Sequence, residues 1–447
     1  MSSRICLLAF LSFVLIVTGC SKKDGGSNPP APTVPGCATN TAPANAAFIA
    51  PGTSLTLSWT AASGATSYDI YWGSSPAPST LLASNVSGTA YTFTVPAFQN
   101  SQALYWYVQP KNGAGGNTNC SSTSTLFTVV NIQSPAPFGY YVVGYFPSYR
   151  NLADVPDVKF RMTNCVVYAF YSVNGSGGLS APSSPAATLT AVRDKARANN
   201  AKVFIGINDG TPGNFKNMAA TAAGRNNFIK DVMNTVRVNN LDGVDIDWEF
   251  PTTSDGTDIT FTALIKELSD SLHRDGRYYL SAAITAGKYA GGIRDAIRNE
   301  IFPYVDFFNI MAYDDFSTSV PYRHHSDYTL ATVCLNYWLN TRGMPASKCV
   351  LGLPAYGRPS GITQTGTVLT YKTILSQGGN PQYDSAIVTA GGFTNYTIYY
   401  NGQYTVKRKA ILAKQIANGV MMWEKWQDAI DNNSLLKAAC DTVGRSY

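Results

Sequence analysis

The sequence predicts two folded parts, a small all-β sandwich of the immunoglobulin-like kind followed by a (β/α)8 barrel, or TIM barrel. In the N-terminal third, short strands with alternating apolar and polar residues recur between turn signals, which is typical of a sandwich. From Gly139 onward, eight apolar runs alternate with helical stretches over roughly 300 residues, which is the repeat of a barrel. A strand with three acidic residues on one side then indicates an active site in the second part.

The composition favours a secreted protein over a nucleic-acid-binding one. Of 447 residues, 45% are hydrophobic, 13% are charged and 12% are aromatic, which is enough for sizeable cores in about two or three domains. Low charge with many Tyr, Ser, Thr, Gly and Asn residues is typical of secreted proteins, often ones that handle sugars. The net charge of +6 is spread along the chain without a basic stripe, so we expect no nucleic-acid partner.

The N-terminus carries a predicted export signal. Arg4 precedes an apolar run, 5–17, that is short for a membrane span but suits a signal peptide. The run ends in the letters VTGC, which resemble a bacterial lipobox, so we predict lipidation of Cys20 and removal of residues 1–19. Ordinary signal cleavage near Gly19 is the alternative. The composition of residues 20–36 predicts a flexible tether. We expect an exported, lipid-anchored, monomeric protein of the cell envelope, at the outer membrane or cell surface.

The cysteines and histidines predict no metal site. Cys37 and Cys120 bracket the first folded segment and can pair, since export permits disulfides. The remaining four, beyond Cys6 in the signal and Cys20, suit buried free thiols at least as well as bridges: they are Cys165, Cys334, Cys349 and Cys440. No spacing suggests zinc, the adjacent pair His324 and His325 is expected in a surface loop, and we predict no cofactor.

Residues 37–130 are predicted to form the sandwich. Strand candidates are 54–60, 68–73, 91–95, 104–108 and 125–129. The segment resembles a fibronectin type III domain, and the resemblance lies in Trp59, 68–71 (YDIY), 105–108 (YWYV) and 111–113. Such a module usually spaces or presents a catalytic domain. Trp72 and Trp106 either bind carbohydrate or pack in its core.

After a linker at 131–138, the predicted barrel spans 139–447, with a short insertion at about 359–406. Its strand candidates are 141–146, 165–171, 202–207, 243–249, 278–284, 307–311, 350–354 and 419–423. Helix candidates between them are 186–199, 219–239, 261–274, 328–339 and 407–418. In this fold the active site forms at the C-terminal ends of the strands.

The fourth strand carries the chemistry. Side chains alternate faces along a strand, so Asp245, Asp247 and Glu249 point the same way. Burying three carboxylates side by side is costly and should raise at least one pKa, which keeps a carboxyl protonated for acid catalysis. Only Glu249 is expected at the mouth of the barrel, with the other two progressively deeper. An acidic edge strand or a divalent-metal site is the alternative.

The pattern Asp-Gly-x-Asp-x-Asp-x-Glu at 242–249 is the signature of family 18 glycoside hydrolases, which the barrel segment therefore resembles. Further segments that agree with the family are 143–146 (VGYF), 309–314 (NIMAYD), 352–358 (GLPAYGR) and 419–424 (GVMMWE). The resemblance covers essentially all of 139–447, and 247–251 (DWEFP) is most similar to chitinases.

The resemblance implies a retaining mechanism in which the substrate's own 2-acetamido oxygen is the nucleophile and closes to an oxazolinium. Glu249 would be the acid, Asp247 would orient the acetamido N–H, and Asp245 would tune Asp247. Tyr313 would donate to the acetamido oxygen. The expected substrate contacts are Asp314, Met311, Trp423 beneath the sugar ring, and more weakly Tyr145, Tyr356 and Arg358. Asp242, of opposite parity, either packs or caps at the start of the strand or tunes the acids.

Two departures from the family bear on the substrate. The third strand lacks the usual Ser-x-Gly-Gly, and Asn208 or Asp209 is expected to substitute in supporting the acids. The short insertion favours a shallow groove. The leading hypothesis is a chitinase that cleaves β-1,4-linked N-acetylglucosamine chains. The alternative is an endo-β-N-acetylglucosaminidase acting on N-glycan cores, and a non-catalytic glycan-binding protein is disfavoured because Glu249 is present.

Overall fold

The computed structural model describes residues 33–49, 52–96, 98, 102–129, 135–274, 276–362 and 366–447. The predicted signal peptide, most of the predicted tether and much of the linker lie outside these residues. The chain divides into two compact units, and the larger one includes Leu126–Tyr447.

The N-terminal part is built from β-strands. Their bounds are Asn40–Ala42, Ala47–Ile49, Ser54–Trp59, Ser67–Gly73, Thr80–Val86, Ala90–Thr94, Gln102–Asn112, Gly115–Gly116 and Thr125–Val129. They form a three-stranded and a six-stranded sheet. Along Ser54–Trp59 the inward residues Leu55, Leu57 and Trp59 are buried and alternate with more exposed ones, as the period-two pattern predicts. Trp106 is fully buried, so of its two predicted roles core packing is confirmed.

A disulfide joins Cys37 to Cys120, with their Cα atoms 5.4 Å apart. This pairing is the one that their positions at the two ends of the first segment predict. The other described cysteines are buried free thiols, and they are Cys165, Cys334, Cys349 and Cys440.

The larger unit contains a closed barrel of eight parallel strands, which confirms the predicted fold. The strands are β1 (Tyr141–Pro147), β2 (Cys165–Val173), β3 (Lys202–Asn208), β4 (Gly243–Asp247), β5 (Tyr279–Thr285), β6 (Phe307–Met311), β7 (Cys349–Pro354) and β8 (Gly419–Trp423). Each pairs with its neighbours, and β1 pairs with both β2 and β8, which closes the ring. Every predicted strand is present, but β4 ends at Asp247, so Glu249 lies in the loop that follows it.

Helices surround the strands. Their bounds are α1 (Asp157–Arg161), α2 (Leu189–Ala198), α3 (Asn214–Ala219), α4 (Ala222–Val238), α5 (Thr257–Leu272), α6 (Gly292–Asp295), α7 (Tyr328–Asn336), α8 (Tyr371–Ser376), α9 (Gln403–Ile416) and α10 (Leu435–Val443). On α4, Phe228, Val232 and Val236 recur at four-residue spacing and are fully buried, which is the apolar stripe that a barrel helix turns to the sheet. The Thr221 side chain begins the helix by accepting a hydrogen bond from the Gly224 N–H.

The alternation along each strand separates two cores. On β1, Val142 and Phe146 belong to the core between strands and helices, whereas Val143 and Tyr145 belong to the core inside the barrel. The inner core is closed by large aromatic residues such as Phe307. The barrel interior is therefore filled, and the fold places an active site at its C-terminal end.

The β7–α9 connection contains the predicted insertion. Its strands are Tyr356–Pro359, Leu369–Thr370, Ser385–Ala390 and Phe393–Tyr399, and they form one four-stranded sheet with α8 between them. The predicted range of about 359–406 therefore overlaps the start of α9, which begins at Gln403.

The adjacent histidines are not a surface feature, so that expectation is wrong. The His325 side chain is fully buried. The half-buried His324 ring stacks on it, with the centroids 5.6 Å apart, and its Nε2 donates to the Tyr400 carbonyl at 2.7 Å. The pair is enclosed because the insertion packs over the loop between β6 and α7.

Within the described ranges, no helix is both long and apolar enough to cross a membrane. The same residues contain no group of three or more His, Cys, Asp or Glu side chains that could hold a metal ion.

Candidate active site

Asp245 lies at the bottom of the site, on β4, and is fully buried. Its carboxylate accepts hydrogen bonds from the Tyr145 hydroxyl at 2.6 Å, the Ser281 hydroxyl at 2.6 Å and the Asn309 amide at 3.1 Å. Burial raises the pKa of Asp245, and these donors lower it in part. Asp245 is thus a fixed acid within the barrel, out of reach of a substrate.

Asp247 ends β4 and points the same way as Asp245. It is 6% exposed, and no described protein atom donates a hydrogen bond to its buried Oδ1. Burial, the Glu249 carboxylate and the Asp245 carboxylate raise the pKa of Asp247 well above its usual value. A buried acceptor without a donor is costly, so Asp247 is a lining residue of the cavity that keeps an unpaired oxygen.

Glu249 follows the end of β4 and is exposed at the mouth of the barrel. The protein atoms that surround its carboxyl raise its pKa, and the charge of Asp314 raises it further. Glu249 therefore keeps its proton to a higher pH than an ordinary glutamic acid while remaining accessible from solvent.

Asp314 is a second carboxyl at the mouth, whereas of the three aligned acids only Glu249 lies there, as expected. Its backbone adopts φ +65° just after β6, a left-handed conformation that Asp tolerates better than most residues. The Tyr356 hydroxyl donates to Oδ1 at 2.6 Å, and Arg358 donates to both oxygens at 2.8 and 3.2 Å. Although burial raises its pKa, hydrogen bonds from His325 and Tyr356 and the charge of Arg358 lower the pKa of Asp314 to about 2. Asp314 is thus permanently ionised and unable to act as the acid.

The Trp423 side chain, at the end of β8, is half-buried and closes one side of the site. Its ring stacks on Phe170 with the centroids 5.6 Å apart, and the Tyr145 ring meets it at 5.4 Å in an edge-on contact. Burial and the Asp245 and Asp247 charges raise the pKa of Tyr145 well above its usual value, so its hydroxyl keeps the proton that it donates.

These residues enclose a cavity of about 150 Å³. Its lining is Tyr145, Phe170, Asp247, Glu249, Ala283, Met311, Tyr313, Asp314, Tyr356 and Trp423. Among the site residues predicted from the sequence, Asp245 lies beneath this cavity, Arg358 reaches it only through Asp314, and the others line it. The Tyr313 hydroxyl stays protonated, because burial and the charges of Asp247 and Glu249 raise its pKa well above its usual value.

A larger cavity of about 510 Å³ adjoins the first and shares Glu249, Met311, Tyr313 and Asp314 with it. It extends over the loops after β5 and β6. The two cavities together form a groove across the mouth of the barrel, with Glu249 between them.

Three residues for which the sequence suggested a role near the acids make their hydrogen bonds elsewhere. Asp242 accepts a hydrogen bond from the Val203 N–H at 2.9 Å, which is a structural role at the start of β4. Asp209 accepts from the Phe215 and Gly213 N–H groups and begins the following helix. Asn208 accepts from the Gly210 N–H at 3.1 Å. None of these three contacts supports the acids, so the expected substitution by Asn208 or Asp209 is wrong.

Ser281 and Asn309 supply that support instead, together with Tyr145. Ser281 is the direct partner of Asp245 across β4 and β5. The sequence signal for Ser281 and Asn309 was a single polar residue inside an otherwise apolar strand. That signal does not show which residue each one contacts, because the contact depends on the register between neighbouring strands. Phe170, which stacks on Trp423, carries no comparable signal, because an aromatic residue at the end of a buried strand is ordinary.

The comparisons with known proteins agree with this geometry. The family model "Glycosyl hydrolases family 18" matches residues 141–428, well over half of the chain. The chain belongs to this family. Solved structures of chitinases share the fold: the chitinase from Bacteroides thetaiotaomicron is 23% identical with a TM-score of 0.59, covering 69% of this chain and 98% of that one. The family 18 chitinase from Cycas revoluta in complex with (GlcNAc)3 is 24% identical with a TM-score of 0.57, covering 68% and 99%.

Curated relatives give shorter matches. Mouse chitotriosidase-1 is 28% identical over 255 residues, which are 47% of this chain and 54% of the mouse protein. A probable endochitinase of Caenorhabditis elegans is 34% identical over 164 residues, which are 32% of this chain and 26% of the nematode protein. This chain therefore spans about half, or less, of the length of these two relatives.

Proposed function

We propose that the protein is a chitinase, which hydrolyses β-1,4 linkages between N-acetylglucosamine units with retention of configuration. The observation that carries this is the pairing of an exposed Glu249 of raised pKa with Asp247, whose buried Oδ1 lacks a donor. Chitinases among the curated relatives and the solved structures support it.

Glu249 supplies the proton. Cleavage of a glycoside needs an acid that protonates the leaving oxygen, and a carboxyl that stays protonated near neutral pH can do so. Glu249 stands between the two cavities, so a chain lying along the groove presents the bond between two sugars to it. After the leaving sugar departs, the same carboxylate takes a proton from the incoming water.

The substrate's acetamido group supplies the nucleophile. Asp314 is held by Tyr356 and Arg358 and stays paired. Asp247 retains a free acceptor, which the acetamido N–H of the sugar in the smaller cavity can satisfy. The carbonyl oxygen then attacks the anomeric carbon as the glycosidic bond breaks, and the ring so formed is an oxazolinium whose positive charge Asp247 stabilises. Tyr313 donates to the acetamido oxygen and orients it.

Replacing Glu249 tests this proposal. Glu249→Gln keeps the shape of the side chain but removes the proton, so hydrolysis of chitohexaose should fall by at least about 100-fold, while binding measured by calorimetry stays largely intact. The control is Glu300→Gln, the same change at an exposed glutamate outside the groove. Undiminished turnover by Glu249→Gln contradicts the assignment.

The products distinguish the two family activities. On colloidal chitin we expect diacetylchitobiose and other short oligosaccharides, and on an N-glycoprotein no release of intact glycans. Release of intact glycans with no product from chitin would instead identify an endo-β-N-acetylglucosaminidase. This alternative is tested because the third strand lacks the Ser-x-Gly-Gly motif that is usual in chitinases.

We also propose that the protein is an exported lipoprotein, anchored through Cys20 in the cell envelope, and that it acts as a monomer. The disulfide between Cys37 and Cys120 supports export, because disulfides persist in oxidising compartments. The β-rich N-terminal part is then an immunoglobulin-like spacer of the fibronectin type III kind, which holds the barrel away from the membrane.

A further inference from the structure

The larger cavity lies on the leaving-group side of the groove, if the proposed function is correct. The sugar that forms the oxazolinium occupies the smaller cavity, beside Asp247, Tyr313 and Trp423. Glu249 must stand at the oxygen between this sugar and the next one. The larger cavity begins at Glu249 and extends away from Trp423, so it receives the part of the chain that departs.

One wall of this larger cavity is an ionic cluster, made of Lys288, Tyr289, Asp315 and Arg323. The Lys288 ammonium and the Tyr289 hydroxyl both donate to the Asp315 carboxylate, the hydroxyl at 2.5 Å. The Arg323 guanidinium lies 3.5 Å from the same carboxylate. Arg323 also donates to the backbone carbonyls of Asp315 and Phe316, so the cluster is held in place by its own loop.

The cluster has a surplus of positive charge. Asp315 is its single carboxylate and is 9% exposed, whereas Lys288 is 29% and Arg323 is 46% exposed. The two cations and one anion leave one net positive charge, and it is the cations that face the solvent. Although burial lowers its pKa, the bonds to Asp315 and Tyr289 raise the pKa of Lys288, so it stays charged in the working range of pH.

The other charges around the cavity do not cancel this surplus. Arg294 also lines it and is paired with Asp295 at 3.1 Å. At the edge shared with the smaller cavity, Asp314 is paired with Arg358, and the raised pKa of Glu249 lets this residue keep its proton to a higher pH than an ordinary glutamic acid. An approaching sugar therefore meets a neutral-to-positive wall.

We propose that the cluster of Lys288, Tyr289, Asp315 and Arg323 makes the leaving-group side of the groove select N-acetylated, uncharged sugar units and reject units with a free ammonium group. Natural chitin contains both kinds, since de-N-acetylation exposes a cationic amine. The acetamido requirement in the smaller cavity follows from the chemistry of the reaction. The selection against ammonium groups is separate from that requirement, because it depends on charge and acts on the sugar in the larger cavity.

Partially de-N-acetylated chitosan tests the proposal, because each cleavage turns the sugar from the larger cavity into a new non-reducing end. Sequencing the products by mass spectrometry gives the glucosamine fraction at those ends. We expect wild-type ends to be mainly acetylated. Lys288→Gln should raise the glucosamine fraction roughly threefold, and Asp315→Asn should lower it by a similar factor, as expected for one unit of charge within several ångströms in a water-like medium.

Two controls separate charge from structural damage. Lys414→Gln, the same change at an exposed lysine of α9, should leave the fraction unchanged. High salt should bring the wild-type fraction toward that of Lys288→Gln, because screening weakens an interaction between exposed charges, whereas the loss of acetyl contacts does not respond to salt.

The outcomes also separate this inference from the proposed function. The inference is overturned if wild type, Lys288→Gln and Asp315→Asn give equal glucosamine fractions, or if the selectivity does not change with salt. Cleavage of fully acetylated chitohexaose in the same experiment would still support the proposed function. No cleavage of chitohexaose by the wild type overturns the proposed function itself. Opposite changes in the two variants support the inference, since damage to the loop would move both the same way.

Discussion

Asp245 and Asp247 are two residues apart, yet their carboxylates differ in the hydrogen bonds that they accept. Asp245 receives donors from Tyr145, Ser281 and Asn309, whereas Oδ1 of Asp247 receives none from the described protein. The protein thus leaves a buried acceptor unpaired on a residue that lines the cavity. A cost of about 1–3 kcal/mol for a buried unsatisfied group is recovered when the substrate supplies the donor.

Asp247→Asn tests this difference. The amide is neutral, so it no longer stabilises the oxazolinium charge, and we expect kcat on chitohexaose to fall by about 100-fold or more. Asp242→Asn is the matched control, since its carboxylate bonds to the backbone of β3 at 2.9 Å, outside the cavity, and its kcat should match the wild type. Similar losses in both variants would show that the effect is on folding of β4, which thermal unfolding of the two proteins would reveal.

At the scale of single residues, parity along one strand predicts the three aligned acids, and the family resemblance predicts most of the other lining residues. The alternation of β4 places Asp245, Asp247 and Glu249 on one side. The partner Ser281 was missed because pairing between β4 and β5 depends on register. The two histidines were misplaced because the insertion residues that contact them, Tyr356, Tyr399 and Tyr400, lie more than 30 residues further along the chain.

At the scale of elements, the loop between β6 and α7 holds the mouth of the site. His325 Nδ1 lies 3.5 Å from Oδ1 of Asp314. Its neighbour Ser326 donates to the Ala312 carbonyl at 2.7 Å and accepts hydrogen bonds from Lys409 on α9. The helix α9 therefore supports the loop that carries Asp314, although it contributes nothing to the lining of the smaller cavity.

The eight strands were predictable as elements because each is a short apolar run between helical stretches, and burial on both faces demands such runs. The residue at which the fourth strand ends was not predictable. Glu249 continues the alternation of the strand in sequence, so the predicted strand reaches it, but β4 ends at Asp247. The insertion was harder still, since its short strands share their Tyr- and Gly-rich composition with the loops around them.

Lys409 makes the support from α9 dependent on pH. Its fully buried ammonium donates to Ser326 and to the Asn401 side chain, all neutral acceptors, and Asp327 and Asp384 are its nearby carboxylates. Burial lowers the pKa of Lys409 from 10.5 to about 7. Between these two values the unfolded chain binds a proton that the folded chain lacks, so this group adds stability as pH rises through the interval and withdraws it as pH falls.

Lys409→Met removes that titration. The free energy of unfolding of the wild type, relative to Lys409→Met, should rise between pH 7 and 10, with a slope of up to about 1.4 kcal/mol per pH unit. Lys414→Met, at an exposed position of the same helix, should stay parallel to the wild type. Denaturant titrations at several pH values measure all three, and parallel curves for wild type and Lys409→Met contradict the assignment.

At the scale of the whole molecule, the chemistry of the cysteines separates the two parts of the chain. The N-terminal unit carries the disulfide between Cys37 and Cys120, while the four free thiols described in the larger unit are buried and chemically protected. The disulfide requires an oxidising compartment. An enzyme for an insoluble polymer works outside the cell, so the proposed export and the proposed substrate agree.

Lipidation at Cys20 would then keep this enzyme at the cell envelope instead of releasing it. The argument is one of hydrophobic transfer, since each buried methylene of an acyl chain adds about 0.8 kcal/mol of membrane affinity and stable anchoring takes more than one chain. Cys20→Ser removes the thiol, so the full-length protein expressed in a bacterial host should move from the membrane pellet to the soluble fraction. Its kcat on chitohexaose should be unchanged, because the residues that line the groove all lie between 145 and 423. Cys440→Ser, a buried thiol of the larger unit, serves as the control and should stay in the pellet. Equal membrane retention of Cys20→Ser and wild type would contradict the lipid anchor while leaving the barrel and its chemistry untouched.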